Sequence, residues 1–188
     1  MTLTRVARSC LLLAVFGAPL HAQAIPDRLL VTGSLAFDGE ATLGDFTGTT
    51  TTVAGRLLGA ESLAAVRGHV TAPARSLVTG NDRRDRDMYR SLEADRYPLL
   101  RYDLLGVRPG RVDGDSTAVT LRGRFTIHGV SRDVEIPGWA WLGADATRFR
   151  GQTPLNLKAY QIGGLSKLLG TLKMHEEILV RIDLAFRT

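Results

Sequence analysis

The 188-residue chain holds one cysteine, four histidines, two tryptophans and only 6% aromatic residues. It has no block of like charge, and its one long apolar run lies at the start. Each scarcity excludes something. A single cysteine, Cys10, rules out a disulfide framework within the chain. Outside the first two dozen residues the histidines are His69, His128 and His175, on three separate segments, which is a poor start for a zinc site. "HEEIL" at His175 lacks the second histidine of a zinc-protease helix, because position 179 is Leu179. No Gly-x-Ser-x-Gly elbow occurs, so His128 has no nucleophile to activate, although Asp133 or Asp85 could orient its ring. The sequence therefore reads as a non-enzyme without a metal.

Charge excludes a second class. Lys and Arg number 24 against 19 Asp and Glu, giving +5, but the signs are interspersed and form no basic tail. The densest patch is Asn81–Arg96, where ten of sixteen residues are charged, five of each sign. Nucleic-acid binding needs a local surplus of cations and stacking aromatics, and this patch offers Tyr89 alone. Alternating Asp and Arg suits a solvated helix with local ion pairs.

The opening residues have the order of a secretory signal peptide. Arg5 and Arg8 precede the apolar run "CLLLAVFGAPL", and Ala22-Gln23-Ala24 follows as a small-x-small cleavage pattern. The run is too short for a stable membrane span, and Cys10 stands too early for a lipoprotein cleavage point. Residues 1–24 are read as the signal peptide and 25–188 as one mature domain in the periplasm or secreted space. Cleavage removes Cys10, Arg5 and Arg8. The basic count falls from 24 to 22 and the net charge from +5 to +3. About 164 residues remain, enough for a single core without disulfides.

The mature chain alternates apolar and polar residues, as one-sided strands do. "VRGHVTA" sets Val66, Gly68, Val70 and Ala72 opposite Arg67, His69 and Thr71. "LLRYDLLGV" sets Leu100, Tyr102 and Leu104 opposite Arg101 and Asp103. "AVTLRGRFTIH" sets Val119, Leu121, Phe125 and Ile127 opposite Thr120, Arg122, Arg124 and Thr126. "EILVRIDLAF" sets Ile178, Val180, Ile182, Leu184 and Phe186 opposite Arg181 and Asp183. Weaker strands are expected near Leu29–Phe37, Thr47–Leu58, Asp133–Leu142 and Arg148–Lys158, with turns at 108–115 and 127–132. About eight antiparallel strands must bury their dry faces in a sandwich or a closed barrel. Two segments depart from this period. Arg83–Leu92 reads as a short helix, with Asp82 able to cap it, Met88 and Leu92 inward, and Arg83, Arg86, Asp87 and Arg90 in water. "GGLSKLLGTLK" at 163–173 could form a second helix with a leucine face.

Several of these pieces resemble the YceI-like family of exported lipid-binding proteins. "FDGEATLGDFTGTT" is similar to its first hairpin, with Phe46-Thr47-Gly48 as the Phe-x-Gly. "ARSLVTGNDRRDRDMYRSLEADRYPLLRYDL" resembles its central signature through Ser76, Asn81, Arg84-Asp85 and Tyr97-Pro98. "LRGRFTIHGVSRDVEIP" and "LNLKAYQI…HEEILVRIDLAF" resemble its later strands. Asp87, Phe125 and Ser131 stand where the family usually has His, Leu and Thr, and the helix is about two residues shorter. The resemblance implies an all-β, eight-stranded antiparallel lipocalin-like barrel with one or two short helices. It also implies an apolar interior that binds an isoprenoid or fatty-chain lipid, a polyisoprenoid or an isoprenoid quinone. No other cofactor, no nucleic acid and no membrane span is expected, and a homodimer is left open.

The residues nominated to meet such a lipid, in the interior or at its lid, are Phe37, Phe46, Met88, Leu100, Tyr102, Leu104, Phe125, Ile127, Trp139, Trp141, Ile178, Val180 and Ile182. Trp139 and Trp141, two apart, are grouped with Phe125 and Tyr102 around the interior, and Phe46 is placed over the barrel mouth. The competing reading is a β-sandwich interaction module whose apolar faces pack solidly and leave no ligand site.

Overall fold

Period-two alternation is realised almost throughout. The computed structural model describes residues 24–42, 44–163, 166–167 and 172–188; residues 1–23, on which the expected signal peptide falls, lie outside them. The strands are β1 (Leu30–Ala41), β2 (Phe46–Thr50), β3 (Ala54–Leu58), β4 (Arg67–Pro73), β5 (Leu99–Asp113), β6 (Ser116–Ile127), β7 (Val130–Leu142), β8 (Ala146–Asn156), β9 (Ser166–Lys167) and β10 (Leu172–Arg187). One α-helix, α1 (Asp82–Ser91), stands among the described residues, between β4 and β5. The sheet runs β2-β1-β10-β8-β7-β6-β5-β4-β3, with the two-residue β9 paired to β10. All of its pairings are antiparallel.

The sheet curls until its edges approach each other. Its seam is closed by isolated bridges rather than by a ladder. Ile25 bridges to Ala60 and Arg28 to Leu57, so the chain ahead of β1 pairs with β3. Thr49 on β2 bridges to Val78. Nine strands lie along the path where about eight are expected, because Thr47–Leu58 is two strands and not one. At Thr50 a hydroxyl competes with the ladder. It accepts the Thr52 N–H at 3.0 Å and meets Ser76 Oγ at 2.7 Å. The chain turns there, leaving β1 for β4 as its next neighbour.

The turns are tighter than the sequence suggests. β5 runs through Pro109 and Gly110 to Asp113, and only Gly114 and Asp115 turn. A bulge between Leu104 and Gly106 returns Val107 to the inner face and leaves Leu105 exposed. The second hairpin turns on His128 and Gly129 alone, with φ of 53° and 72°, the pair of positive values a type I′ turn needs. Of the helix expected at 163–173, the described part Ser166–Lys167 is strand paired to Leu172–Lys173; the leucines at 165, 168 and 169 lie outside the described residues.

The dry faces meet in one core that includes Leu57, Tyr102, Phe125, Ile136, Phe149, Ile182 and Phe186. The wet faces explain the arginine content. Arg101–Asp103, Arg108–Glu135, Arg124–Asp133, Arg150–Asp183 and Arg181–Asp38 pair on the outer face, four of the five across strands. The Thr47 hydroxyl and the Arg181 guanidinium hold the Asp38 carboxyl below the usual carboxylate range.

Candidate functional site: the barrel bore and its mouth

The inner face leaves a cavity of about 90 Å³ along the bore. Leu100, Tyr102, Leu104, Phe125 and Ile182 line it, as expected from their strand faces. Ile127, Ile178 and Val180 also point inward but pack against the core beyond the cavity. The space is well short of a ligand pocket of about 300 Å³ or more. In this state the side chains nearly fill the bore.

Trp139 and Trp141 do not face the bore, which corrects the expectation for β7. Trp139 lies opposite Ala118 on β6 and Arg150 on β8, and Trp141 opposite Ser116 and Arg148. Both are half-buried on the outer face, with Arg111 over the Trp139 ring at 5.5 Å. Their partners on the inner face are Ile136, Gly138 and Ala140. The reason is Phe149. Its ring lies across Gly138 and Gly151, where an added Cβ would come within 2.8 Å and 2.5 Å of it. The small side of β7 must therefore point inward to make room for the aromatic of β8. The sequence gives no clear signal for Phe149, because Thr147, Phe149, Gly151 and Thr153 alternate without a strong apolar contrast.

A larger concavity, about 820 Å³, lies on the outer face around Trp139, Pro109 and Pro137. Arg108, Arg150 and Arg181 border it, each already paired with a carboxylate. It is an open depression of the curled sheet and lacks convergent free polar groups. The bore remains the candidate site, because there a space among the described residues is lined mainly by apolar side chains from many strands.

The mouth is built by α1 and the residues that resemble family signatures. Asn81 caps the helix and not Asp82, its side chain accepting from Arg83 N at 3.1 Å and Arg84 N at 3.0 Å. Asp85 is buried, and its Oδ1 accepts from Thr79 N at 2.9 Å and Thr79 Oγ1 at 2.7 Å. Tyr89 donates to the Leu77 carbonyl at 2.6 Å. Residues 77–79, which carry the Val78 bridge to β2, are thus clasped by the helix. Arg83, Arg86 and Arg90 meet water, while Asp87 is partly covered and pairs with Arg90 at 2.6 Å. Leu92 packs on the core; Met88 is half-buried and does not line the cavity.

Arg84 turns away from solvent and lies 4.4 Å over the Phe46 ring. Phe46 in turn meets Phe37 edge-on at 6.0 Å. Both rings project inward at the α1 end, opposite Gly39 and Gly48 of the neighbouring strand. Phe37 and Phe46 therefore stand at the mouth, outside the cavity itself.

His128 sits in the turn, as expected, but it is not a surface group: its side chain is 11% exposed. Nδ1 donates to the Tyr160 carbonyl at 3.2 Å, Nε2 stands 3.1 Å from Glu93, and the ring meets Tyr97 edge-on at 5.0 Å. Gly129 beside it leaves room for Tyr97, whose Cε1 would lie 2.5 Å from an added Cβ. These partners position a turn; none is a hydroxyl or thiol placed for attack. Among the described residues no three His, Cys, Asp or Glu side chains gather to share a metal ion.

A curled antiparallel barrel with an apolar bore and a helix at one mouth defines a class of small β-barrels that enclose their core side chains. The YceI-like domain profile matches residues 31–186, and the chain belongs to that family. It is similar in structure to a polyisoprenoid binding domain from Saccharophagus degradans implicated in plant cell wall breakdown. That comparison has a TM-score of 0.70 and 18% identity, over 87% of this chain and 99% of the other. BcnA of Burkholderia cenocepacia is similar at a TM-score of 0.65 and 14% identity, covering 81% and 94%. A Campylobacter jejuni YceI protein is similar at 0.57 and 16% identity, covering 75% and 84%. At these low identities the superpositions show a shared fold and nothing more. No curated protein matched the sequence.

Proposed function

We propose that the chain, after export to the periplasm or the secreted space, binds one long-chain isoprenoid or similar amphiphilic lipid in its bore without covalent chemistry. The observation that carries this reading is the apolar lining. Nine strands wrap a bore whose inward side chains are almost all hydrocarbon. Family membership and the likeness to a polyisoprenoid binding domain support it. Each methylene moved from water into such an interior contributes about 0.8 kcal/mol. A dozen would contribute roughly 10 kcal/mol before ordering costs.

The present cavity is too small for such a chain, so binding has to separate the inward side chains. The seam is the place to yield, because bridges and not a ladder close it. That small cavity also favours a second reading, a filled barrel that works through its surface. One experiment separates the two. The protein is purified from cells, extracted with organic solvent, and the extract analysed by mass spectrometry. A lipid present at close to one per protein supports binding. An empty extract, together with no binding of added polyprenol, favours the filled module.

Phe46 offers a finer check. Its ring guards the mouth but is only half-buried. Phe46→Ala is expected to weaken lipid retention about tenfold, equivalent to about 1.4 kcal/mol. Folding stability should fall by about 1 kcal/mol, as partial burial dictates. A stability loss of about 3 kcal/mol or more with retention unchanged would assign the ring to the core.

A further inference from the structure

Tyr102 breaks the hydrocarbon character of the bore. It sits on the inner face of β5, 9% exposed, among the side chains that line the cavity. Its ring packs on Phe125 at 4.9 Å, and its hydroxyl lies over Gly123 of β6, where an added Cβ would stand 2.6 Å away. The glycine gives the phenol room to lie across the sheet. That hydroxyl is buried and has no hydrogen-bond partner among the described residues. Buried hydroxyls are ordinarily satisfied, because leaving one unpaired in an apolar setting is costly. Tyr102 is itself one of the residues that line the bore cavity.

We infer that the Tyr102 hydroxyl is a donor site for a carbonyl or similar uncharged oxygen acceptor on the bound lipid, so that the bore selects acceptor-bearing chains over plain hydrocarbons. This rests on the lipid-binding reading and narrows its ligand class. Burial, with the Glu135 charge adding to it, holds the phenol well above the ordinary tyrosine range. The group therefore stays protonated at any physiological pH and is a donor only to neutral or negative acceptors. A buried tyrosine gives up nothing within the fold when it offers this bond, since no protein group competes for it.

The test uses two ligands of one skeleton, an isoprenoid methyl ketone and the matching hydrocarbon. Their affinities for the purified mature protein are measured by titration calorimetry at one detergent concentration. The wild type is expected to favour the ketone by about tenfold, the scale of one buried neutral hydrogen bond. Tyr102→Phe keeps the ring and should erase the preference by weakening the ketone alone. It should not lower the melting midpoint. Tyr160→Phe is the control, since Tyr160 carries another buried, unpartnered hydroxyl but does not line the cavity. Its preference should equal that of the wild type. Equal affinities in the wild type, or a preference that survives Tyr102→Phe, overturn the inference while hydrocarbon binding still upholds the lipid reading. A lower midpoint for Tyr102→Phe overturns it too, by showing that the hydroxyl is bonded within the fold. If the wild type binds neither ligand, both ideas fall.

Discussion

Arg28→Ala is expected to lower the unfolding free energy by about 3–5 kcal/mol, the scale of emptying a large buried site whose polar contacts are also lost. Arg28 is 1% exposed, the most deeply covered charged side chain among the described residues. Its Nη2 donates to the Gly143 and Ala144 carbonyls at 3.1 Å and 2.7 Å, in the turn between β7 and β8. Its backbone exchanges both hydrogen bonds with Leu57 of β3. One residue thus ties the entering chain, the seam strand and a distant hairpin together. No carboxylate pairs with it among the described residues, so the two carbonyls carry the stabilisation of a charged donor. Arg28→Met keeps most of the stem volume and removes only the bonds. It should cost less, about 1–3 kcal/mol. Urea melts of residues 25–188 give both values. Midpoints unchanged in both variants would show that the seam is held without this side chain.

Asp85→Ala should cost about 2–4 kcal/mol, the range for removing one member of a buried polar pair. The carboxylate accepts both the N–H and the hydroxyl of Thr79, and both donors would lose their partner. It also lies in the first turn of α1, where negative charge is favoured. The consequence reaches β2, because Thr79 adjoins Val78, whose bridge to Thr49 closes the α1 end of the seam. Asp87→Ala, two residues along, removes a pair with the exposed Arg90 and should cost no more than about 0.5–1 kcal/mol. Thermal or urea unfolding of the two variants discriminates. Equal shifts would mean that the charged helix is solvated surface throughout and that Asp85 has no clasping role.

Much of this was legible beforehand, and particular residues show why. Period two in β5, β6 and β10 is a local signal, so Tyr102, Phe125 and Ile182 could be placed on the inner face from neighbours in sequence alone. The need to pair Asp85 also follows locally: a carboxylate near the inward side of a helix cannot remain unpaired, and a distant arginine or a loop backbone N–H could serve. The structure supplies the Thr79 backbone N–H, with the Thr79 hydroxyl beside it. Other residues carried no such local signal. Thr50 reads as an ordinary strand residue until Ser76 arrives beside it and the strand breaks in two. His128 reads as a surface turn residue until Tyr97, Glu93 and Tyr160 close around it.

The sequence by itself determined that most of the chain is one-sided strand, the dry face of most of those strands, the helix between β4 and β5, and the resemblance that family membership then supported. Each depends on spacing within one segment, which sterics and alternation translate directly into direction. Only the tertiary structure decided which side of β7 points inward, how far the bore is filled, and what closes the seam. Those outcomes depend on volumes and donors brought from other strands: the Phe149 ring over Gly138 and Gly151, and the Arg28 guanidinium reaching the β7–β8 turn. Alternation assigns a residue to a side, but packing between segments chooses which side is the inside, because the larger apolar face yields wherever a neighbour's ring already occupies the space.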